Sequence, residues 1–255
     1  MYRFKLALMV AMFPLLATIA PAQDKQSASA PAKDVDPLAM QVLKAVADPL
    51  QQATAFRFKA LIGEEELANN RQIVTFFHSV DVTVQRPNKI HLVLRGHGER
   101  VDFYAADGQI NMWSPDTKLY TTIPAKSTIN ETLASFNEKG FDMPIAPFLH
   151  SDFYQLVEKA VATAYVVGRV KIFDVDVHQI VFTAPDADYQ LWVTGGDNPR
   201  FMRAEIVNKK MEGNPRTTIQ FLDWDLSPAL DADEFVFTKP QDAQEITLLS
   251  IPRGK

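Results

Sequence analysis

The sequence contains no cysteine, and this absence excludes several kinds of chemistry. Disulfides, cysteine-ligated zinc sites, thiol nucleophiles and lipid-modified N-terminal cysteines all require that residue. Exported and cytosolic proteins can both lack cysteine, so the compartment has to be inferred from other features of the chain.

The chain also has fewer positively than negatively charged residues. The 255 residues include 26 Lys and Arg against 31 Asp and Glu, and no basic cluster occurs. Proteins bind phosphate backbones through a surplus of Lys and Arg on one face, so we expect no nucleic-acid partner. Hydrophobic residues make up 47% of the chain, which is typical of a globular protein rather than a disordered one.

No apolar run is long enough for a typical membrane span. The apolar stretch at residues 6–20 follows Arg3 and Lys5, is interrupted by Pro14, and is shorter than the roughly 20 residues that a spanning helix needs. Small residues stand at Ala20 and Ala22, the positions that a signal peptidase recognises. We therefore predict a signal peptide at residues 1–22 with cleavage after Ala22, and a periplasmic protein that is not integral to a membrane.

Small and polar residues with one proline follow the predicted cleavage site. Residues 23–34 are expected to form a flexible leader. No later Pro-, Gly- or Ser-rich linker occurs, so residues 35–255 are predicted to form a single domain.

A helix is predicted at the start of this domain. Asp36 followed by Pro37 is a typical helix start. Apolar side chains then recur at the spacing of one helix face, at Leu43, Val46, Ala47 and Leu50.

From residue 55 onward apolar and polar residues alternate, as in antiparallel strands with one buried face. Asp107-Gly108 is typical of a hairpin turn. Strand patterns cover residues 55–62, 74–84, 90–94, 101–105, 175–183, 189–194, 201–209, 217–225 and 235–238, with shorter stretches near Met112, Tyr120 and Tyr165. About eleven strands are expected, which favours a mainly β, barrel-like fold.

The alternation stops between residues 127 and 160. Thr128 and Glu131 have the spacing of a capping box, with Gly140 as the helix stop. Shorter helices are predicted at residues 144–149 and 151–160, the second capped by Ser151. These helices are expected to cover the apolar face of the sheet.

Three segments resemble the bacterial lipoprotein-localisation carriers in order and spacing. They are VQRPNK at residues 84–89, ADGQINMWSP at 106–115 and FVFTKPQDA at 235–243. The leader, the first helix and the helices in the middle of the chain also stand where that family has them.

A closer resemblance is to a bacterial family of predicted periplasmic proteins, domain of unknown function 2092, within the same carrier-like superfamily. It rests on PIAPFL at residues 144–149, YVVG at 165–168, YQLWV at 189–193 and FLDW at 221–224. The resemblance implies an incomplete, half-open antiparallel β-barrel of about eleven strands with a lid of α-helices. The resemblance does not supply an activity.

The histidines do not form a convincing catalytic or metal-binding motif. His91, His97 and Glu99 are all at odd-numbered positions, which point to the same side of a strand, so they could gather around zinc or manganese. Gly96 and Gly98, however, favour a turn there. His78 is expected in the core or in a cavity wall, whereas His150 and His178 lack a recognisable partner. We therefore expect no catalytic site, no metal, no cofactor and no enzyme activity.

The remaining candidate site is the apolar face itself, which is either a filled core or the wall of a cavity. A filled core favours a protein-interaction or sensor domain with an envelope protein partner. A cavity wall predicts a binder or carrier of a lipid, a lipidated protein or another apolar ligand. The candidate cavity residues are Phe56, Phe58, Phe76, Val80, Val82, Leu92, Leu94, Phe103, Met112, Leu133, Phe136 and Phe148.

Overall fold

The alternating segments form long antiparallel strands in the computed structural model, which describes residues 34–139, 141 and 143–247. The predicted signal peptide, its cleavage site and the leader up to residue 33 lie outside the described residues. In chain order the elements are β1 (Asp34–Val35), α1 (Pro37–Gln52), β2 (Ala55–Leu67), β3 (Ile73–Gln85), β4 (Lys89–Gly96), β5 (Glu99–Ala106), β6 (Gln109–Ser114), β7 (Leu119–Pro124), α2 (Ile129–Glu138), α3 (Ala146–Leu149), α4 (Phe153–Ala160), β8 (Thr163–Ile172), β9 (Val175–Thr183), β10 (Ala187–Thr194), β11 (Phe201–Asn208), β12 (Arg216–Asp225) and β13 (Gln244–Glu245).

All the described strands belong to one sheet, in the order β1-β8-β9-β10-β11-β12-β2-β3-β4-β5-β6-β7-β13. The eleven long strands, β2 to β12, pair antiparallel, and the two short edge strands pair parallel with β8 and β7. Ile219 of β12 lies opposite Ile62 of β2, which joins the strands after the helices to those before them. The two edge strands do not pair with each other, so the sheet is open. The predicted fold class, a mainly β half-open sheet with a few helices, is confirmed.

The helices cover one face of the sheet. The side chain of Asp36 accepts a hydrogen bond of 2.8 Å from the Leu38 N–H, and the predicted apolar stripe of α1 is buried. α1 packs against α4, β8 and β9. Thr128 and Glu131 form the predicted capping box of α2. Side chains of all four helices join one apolar core with the facing strand residues.

The predicted cap of the third short helix is wrong. α4 begins at Phe153 with Asp152 as its N-cap, and no side chain caps it. Ser151 is one residue too early, and its Oγ accepts a hydrogen bond of 3.1 Å from the side-chain amide of Asn130 instead. The Ser151 hydroxyl, which the sequence pattern predicts as the cap of α4, therefore makes a tertiary contact with α2 instead.

The predicted strand at residues 235–238 is also wrong. These residues have no ladder partner, and the N–H of Val236 donates to the carbonyl of Asp233 within a turn. Phe235 is buried, and the ring of Phe237 lies 5.9 Å from that of Tyr104 and 5.7 Å from that of Tyr120. Phe237 thus packs the C-terminal segment onto the outer face of β5 and β7, and the segment does not extend the sheet.

Candidate functional site

Eleven of the twelve candidate cavity residues lie between the helices and the sheet. Leu94 and Met112 are partly buried against the apolar core, and Phe76 does not belong to it. Phe76 lies near the N-terminal end of β3, outside the part of the strand that pairs with β4. Its ring is 5.3 Å from that of His97. The other nine are buried together in the core: Phe56, Phe58, Val80, Val82, Leu92, Phe103, Leu133, Phe136 and Phe148.

A cavity of about 480 Å³ lies on the same side of the sheet but over different strands. Its walls come from α2, the segment that follows α2, α3, α4 and strands β9 to β11. Of the twelve candidates, only Leu133 and Phe148 line it. The residues that form its floor, on β9 to β11 and in the turn between β9 and β10, were not among the candidates; they are Phe182, Thr183, Ala184, Tyr189, Leu191, Ala204 and Ile206.

Side-chain size explains why the space lies over these strands. Over β2 the ring of Phe58 lies 5.6 Å from that of Phe221 and 4.3 Å from that of Trp224, so three large aromatic groups fill the volume. Over β9 to β11 the floor includes Ala184 and Ala204, whose side chains are a single methyl group. A cavity therefore remains where the facing residues are small.

The exposed lining residues indicate that the mouth of the cavity lies between α2 and α4. No described lining residue on the strands is exposed, and Phe182, Leu191 and Ala204 are buried, whereas the exposed lining residues are all on helices. They are Ala134 and Asn137 of α2, Pro147 of α3, and Leu156 and Ala160 of α4. Leu156 is 40% exposed, which is high for a leucine beside an apolar cavity.

Polar side chains are few among the described lining residues. They are Asn137, His150, Thr183 and Tyr189, and none of the described lining residues is Lys, Arg, Asp or Glu. The hydroxyl of Thr183 lies 2.7 Å from that of Thr163. The walls can therefore hold an apolar group and offer only neutral hydrogen-bonding groups or an imidazole to a polar one.

His150 has a carboxylate partner that the sequence pattern did not indicate. Its Nδ1 lies 3.3 Å from Oδ1 of Asp152, two residues along the chain. A carboxylate at Nδ1 favours a proton on that nitrogen, which leaves Nε2 as a hydrogen-bond acceptor in the neutral ring. An acceptor nitrogen at this place in the lining can receive a hydrogen bond from a hydroxyl.

Arg86 ties the helices around the cavity to the sheet. Its guanidinium donates hydrogen bonds to the carbonyls of Leu149, at 3.1 Å, and His150, at 3.4 Å, and it lies over the ring of Phe56. Burial lowers the pKa of Arg86, and the nearby carboxylate of Asp152 opposes that shift. The end of α3 is thereby fixed to the turn between β3 and β4.

Asn130 ties the same segment to α2. Its side-chain amide donates to Oγ of Ser151 and, at 2.8 Å, to Oδ1 of Asp152. Its side-chain oxygen accepts from the backbone N–H of Ser151. Bonds from Arg86 and Asn130 therefore converge on residues 149–152, and the position of this segment sets the shape of the cavity.

The alternative metal site is not assembled. His91 Nδ1 lies 3.0 Å from Oε1 of Glu234, and its ring stacks on Tyr104. His97 contacts Phe76 instead. Within residues 34–139, 141 and 143–247, no group of three His, Asp or Glu side chains could hold a metal ion.

Solved structures with a similar arrangement come from several bacteria. LprF from Mycobacterium bovis superposes with a TM-score of 0.49 at 14% identity, covering 82% of this chain and 99% of LprF. The lipoprotein LppX of Mycobacterium tuberculosis gives 0.49 at 16% identity, covering 77% and 100%. A LolA superfamily protein from Nitrosomonas europaea gives 0.34 at 10% identity, covering 78% and 97%.

Comparison with curated proteins gives no match. None of the helices in the described part of the chain is long and apolar enough to cross a membrane. The family model described as "Predicted periplasmic protein (DUF2092)" matches residues 39–249, which is most of the chain. This protein therefore belongs to the DUF2092 family of predicted periplasmic proteins.

Proposed function

We propose that this protein binds an apolar ligand, a lipid or the acyl chain of a lipidated molecule, in the cavity between α2 to α4 and β9 to β11. The observation that carries the proposal is the cavity itself. Its volume of about 480 Å³ lies within the range of about 300–1,000 Å³ that is typical of small-molecule sites. The role is that of a non-catalytic periplasmic binder or carrier.

The energetics of such binding follow from burial of the chain. Each methylene that leaves water for an apolar cavity contributes about 0.8 kcal/mol. The floor residues Phe182, Leu191 and Ala204 are buried, so a chain that reaches them is shielded from water. Entry and release then take place at the mouth between α2 and α4.

A pair of matched substitutions tests the proposal. Ala204→Leu adds bulk to a residue that lines the cavity, whereas Ala60→Leu makes the same change in the filled core. We expect Ala204→Leu to weaken uptake of a pyrene-labelled acyl probe while the free energy of unfolding stays close to that of the wild type. Ala60→Leu should instead lower the free energy of unfolding by about 1–3 kcal/mol, because a packed core has no room for the added group.

The measurements are fluorescence titration with the probe, urea unfolding, and mass spectrometry of material extracted from the purified protein. The proposal fails if the wild type binds no probe and carries no extractable lipid. It also fails if Ala204→Leu destabilises the protein as much as Ala60→Leu does, because the space would then be filled.

A second candidate function is a protein-interaction or sensor domain on the same scaffold, without a bound lipid. The observation that favours it is a group of exposed apolar side chains on β8 and the turn after it. Phe173 is 79% exposed, and Tyr165 and Val167 are also exposed. If this function is correct, the protein binds an envelope protein partner, and Phe173→Ser and Tyr165→Ser abolish that binding. The purified protein then contains no lipid.

A further inference from the structure

The size of the cavity limits how many hydrocarbon chains it can hold. Its volume is about 480 Å³, in the lower half of the range of about 300–1,000 Å³ over which pockets enclose one drug-sized molecule. A lipid with a single hydrocarbon chain is of that size. A lipid with two such chains carries about twice as much hydrocarbon.

The cavity has one closed side and one open side, which fixes the direction of a bound chain. Phe182, Leu191 and Ala204 close it toward the sheet, and the exposed Leu156 and Ala160 mark the mouth. The apolar tail of a ligand therefore points to the sheet, and its head group stays near α2 and α4.

Among the described lining residues, none is Lys, Arg, Asp or Glu, so within this part of the chain a charged head group finds no permanently charged partner. Burying an ionised group without an opposite charge is costly, whereas a hydroxyl needs only one hydrogen-bond partner. His150, with Asp152 at its Nδ1, can supply such a partner as an acceptor.

The exposed residues beside the mouth do not favour either sign. Glu138 and Lys139 follow Asn137 at the end of α2, and Glu158 and Lys159 precede Ala160 at the end of α4. Each end thus carries one negative and one positive side chain. A head group that protrudes from the mouth meets a balanced set of charges.

We propose that the cavity selects a lipid with one hydrocarbon chain and an uncharged, hydroxyl-bearing head group, as in a monoacylglycerol. This inference rests on the proposed function, since it specifies which apolar ligand the same cavity takes. The single chain follows from the volume, and the neutral head group follows from the walls and the mouth.

The experiment compares four probes on the full-length mature protein after removal of co-purified lipid. The probes are 1-monopalmitoylglycerol, palmitate, hexadecyltrimethylammonium and 1,2-dipalmitoylglycerol. The first three share one chain length and differ in head-group charge, and the fourth carries a second chain. Displacement of a pyrene-labelled monoacylglycerol gives relative affinity at neutral pH, and native mass spectrometry gives stoichiometry.

We expect one monopalmitoylglycerol per protein and binding of the other three probes weaker by at least about fivefold. His150→Phe should reduce the preference for the glyceride over palmitate, because the acceptor for the hydroxyl is lost while an aromatic ring is retained. A difference of less than about fivefold for any of the three probes, or two chains bound at once, overturns the inference. If none of the four probes binds, the proposed function itself fails.

Discussion

At the scale of single residues, burial is the main influence on the pKa of His78. His78 lies on the helix-covered side of β3, with its side chain only 18% exposed. Burial lowers the pKa of His78, and repulsion from His97 lowers it further. Glu64 Oε2, at 3.5 Å from Nδ1, favours the charged form, but at this distance its attraction is weaker than the effect of burial.

The lowered pKa of His78 predicts a loss of stability in mild acid. The unfolded chain takes up a proton near the ordinary pKa of 6.5, whereas the folded protein does so only at lower pH. The free energy of unfolding should therefore fall as the pH drops through 6.5 and level off below the folded pKa. His78→Gln removes this contribution, so its free energy of unfolding should fall less than that of the wild type as the pH drops from neutral through 6.5.

Urea unfolding at several pH values measures this difference. His97→Gln serves as the control, because it removes only the smaller of the two causes and should give an intermediate slope. Identical pH dependence of wild type and His78→Gln would show that His78 is not protonated differently in the two states.

At the scale of elements, the C-terminal segment acts as a strap across the outer face of the sheet. Phe235 is 5% exposed there, whereas its neighbour Val236 is 53% exposed. Phe235→Ala should lower the free energy of unfolding by about 3 kcal/mol, since it removes a buried aromatic group. Val236→Ala should change it by less than about 0.5 kcal/mol. Similar effects in urea unfolding would mean that the strap does not pack as described.

The helices at the cavity mouth give a second prediction at this scale. Because the chain has no cysteine, a single introduced thiol can be labelled without competing sites. Leu156→Cys carrying a fluorescein maleimide places a bulky group at the mouth on α4. We expect uptake of the pyrene-labelled probe to slow by about tenfold or more.

The matched control is Phe173→Cys with the same label, since that residue is exposed on the turn between β8 and β9. Unlabelled Leu156→Cys separates the effect of the label from that of the substitution. Equal uptake by both labelled proteins would place the entrance elsewhere than between α2 and α4.

At the scale of the whole molecule, the pairing of β12 with β2 makes the sheet continuous across the helical interruption. Phe221 of β12 lies opposite Ala60 of β2, and both belong to the same apolar core. We therefore expect the strands before and after the helices to lose their packing together. We expect one cooperative unfolding transition, with coincident curves from tryptophan fluorescence and far-UV circular dichroism.

The tryptophans make this test sensitive to both parts of the sheet. Trp113 lies in β6, and Trp192 and Trp224 lie in β10 and β12. Replacing either Trp113 or Trp192 by Phe should leave the transition midpoints from the two methods coincident. Two separated transitions would indicate two domains rather than one.

The sequence by itself determined most of the elements and the face that each strand buries. Alternation at Phe56 and Phe58 and the capping pair Thr128 and Glu131 depend on neighbours a few residues away, so they are visible in the chain. The same locality explains the errors at Ser151 and Phe235. Asn130 and Tyr104 engage those two regions from distant parts of the sequence, and no local pattern contains them.

Only the tertiary structure decided which part of the buried face is filled and which is empty. Alternation predicts that a side chain points inward, but the free volume there depends on every other side chain that reaches the same place. Phe58 faces Phe221 and Trp224, more than 160 residues away, and leaves no space. Ala204 faces helices that begin with residue 129 and leaves a cavity, because its side chain is one methyl group.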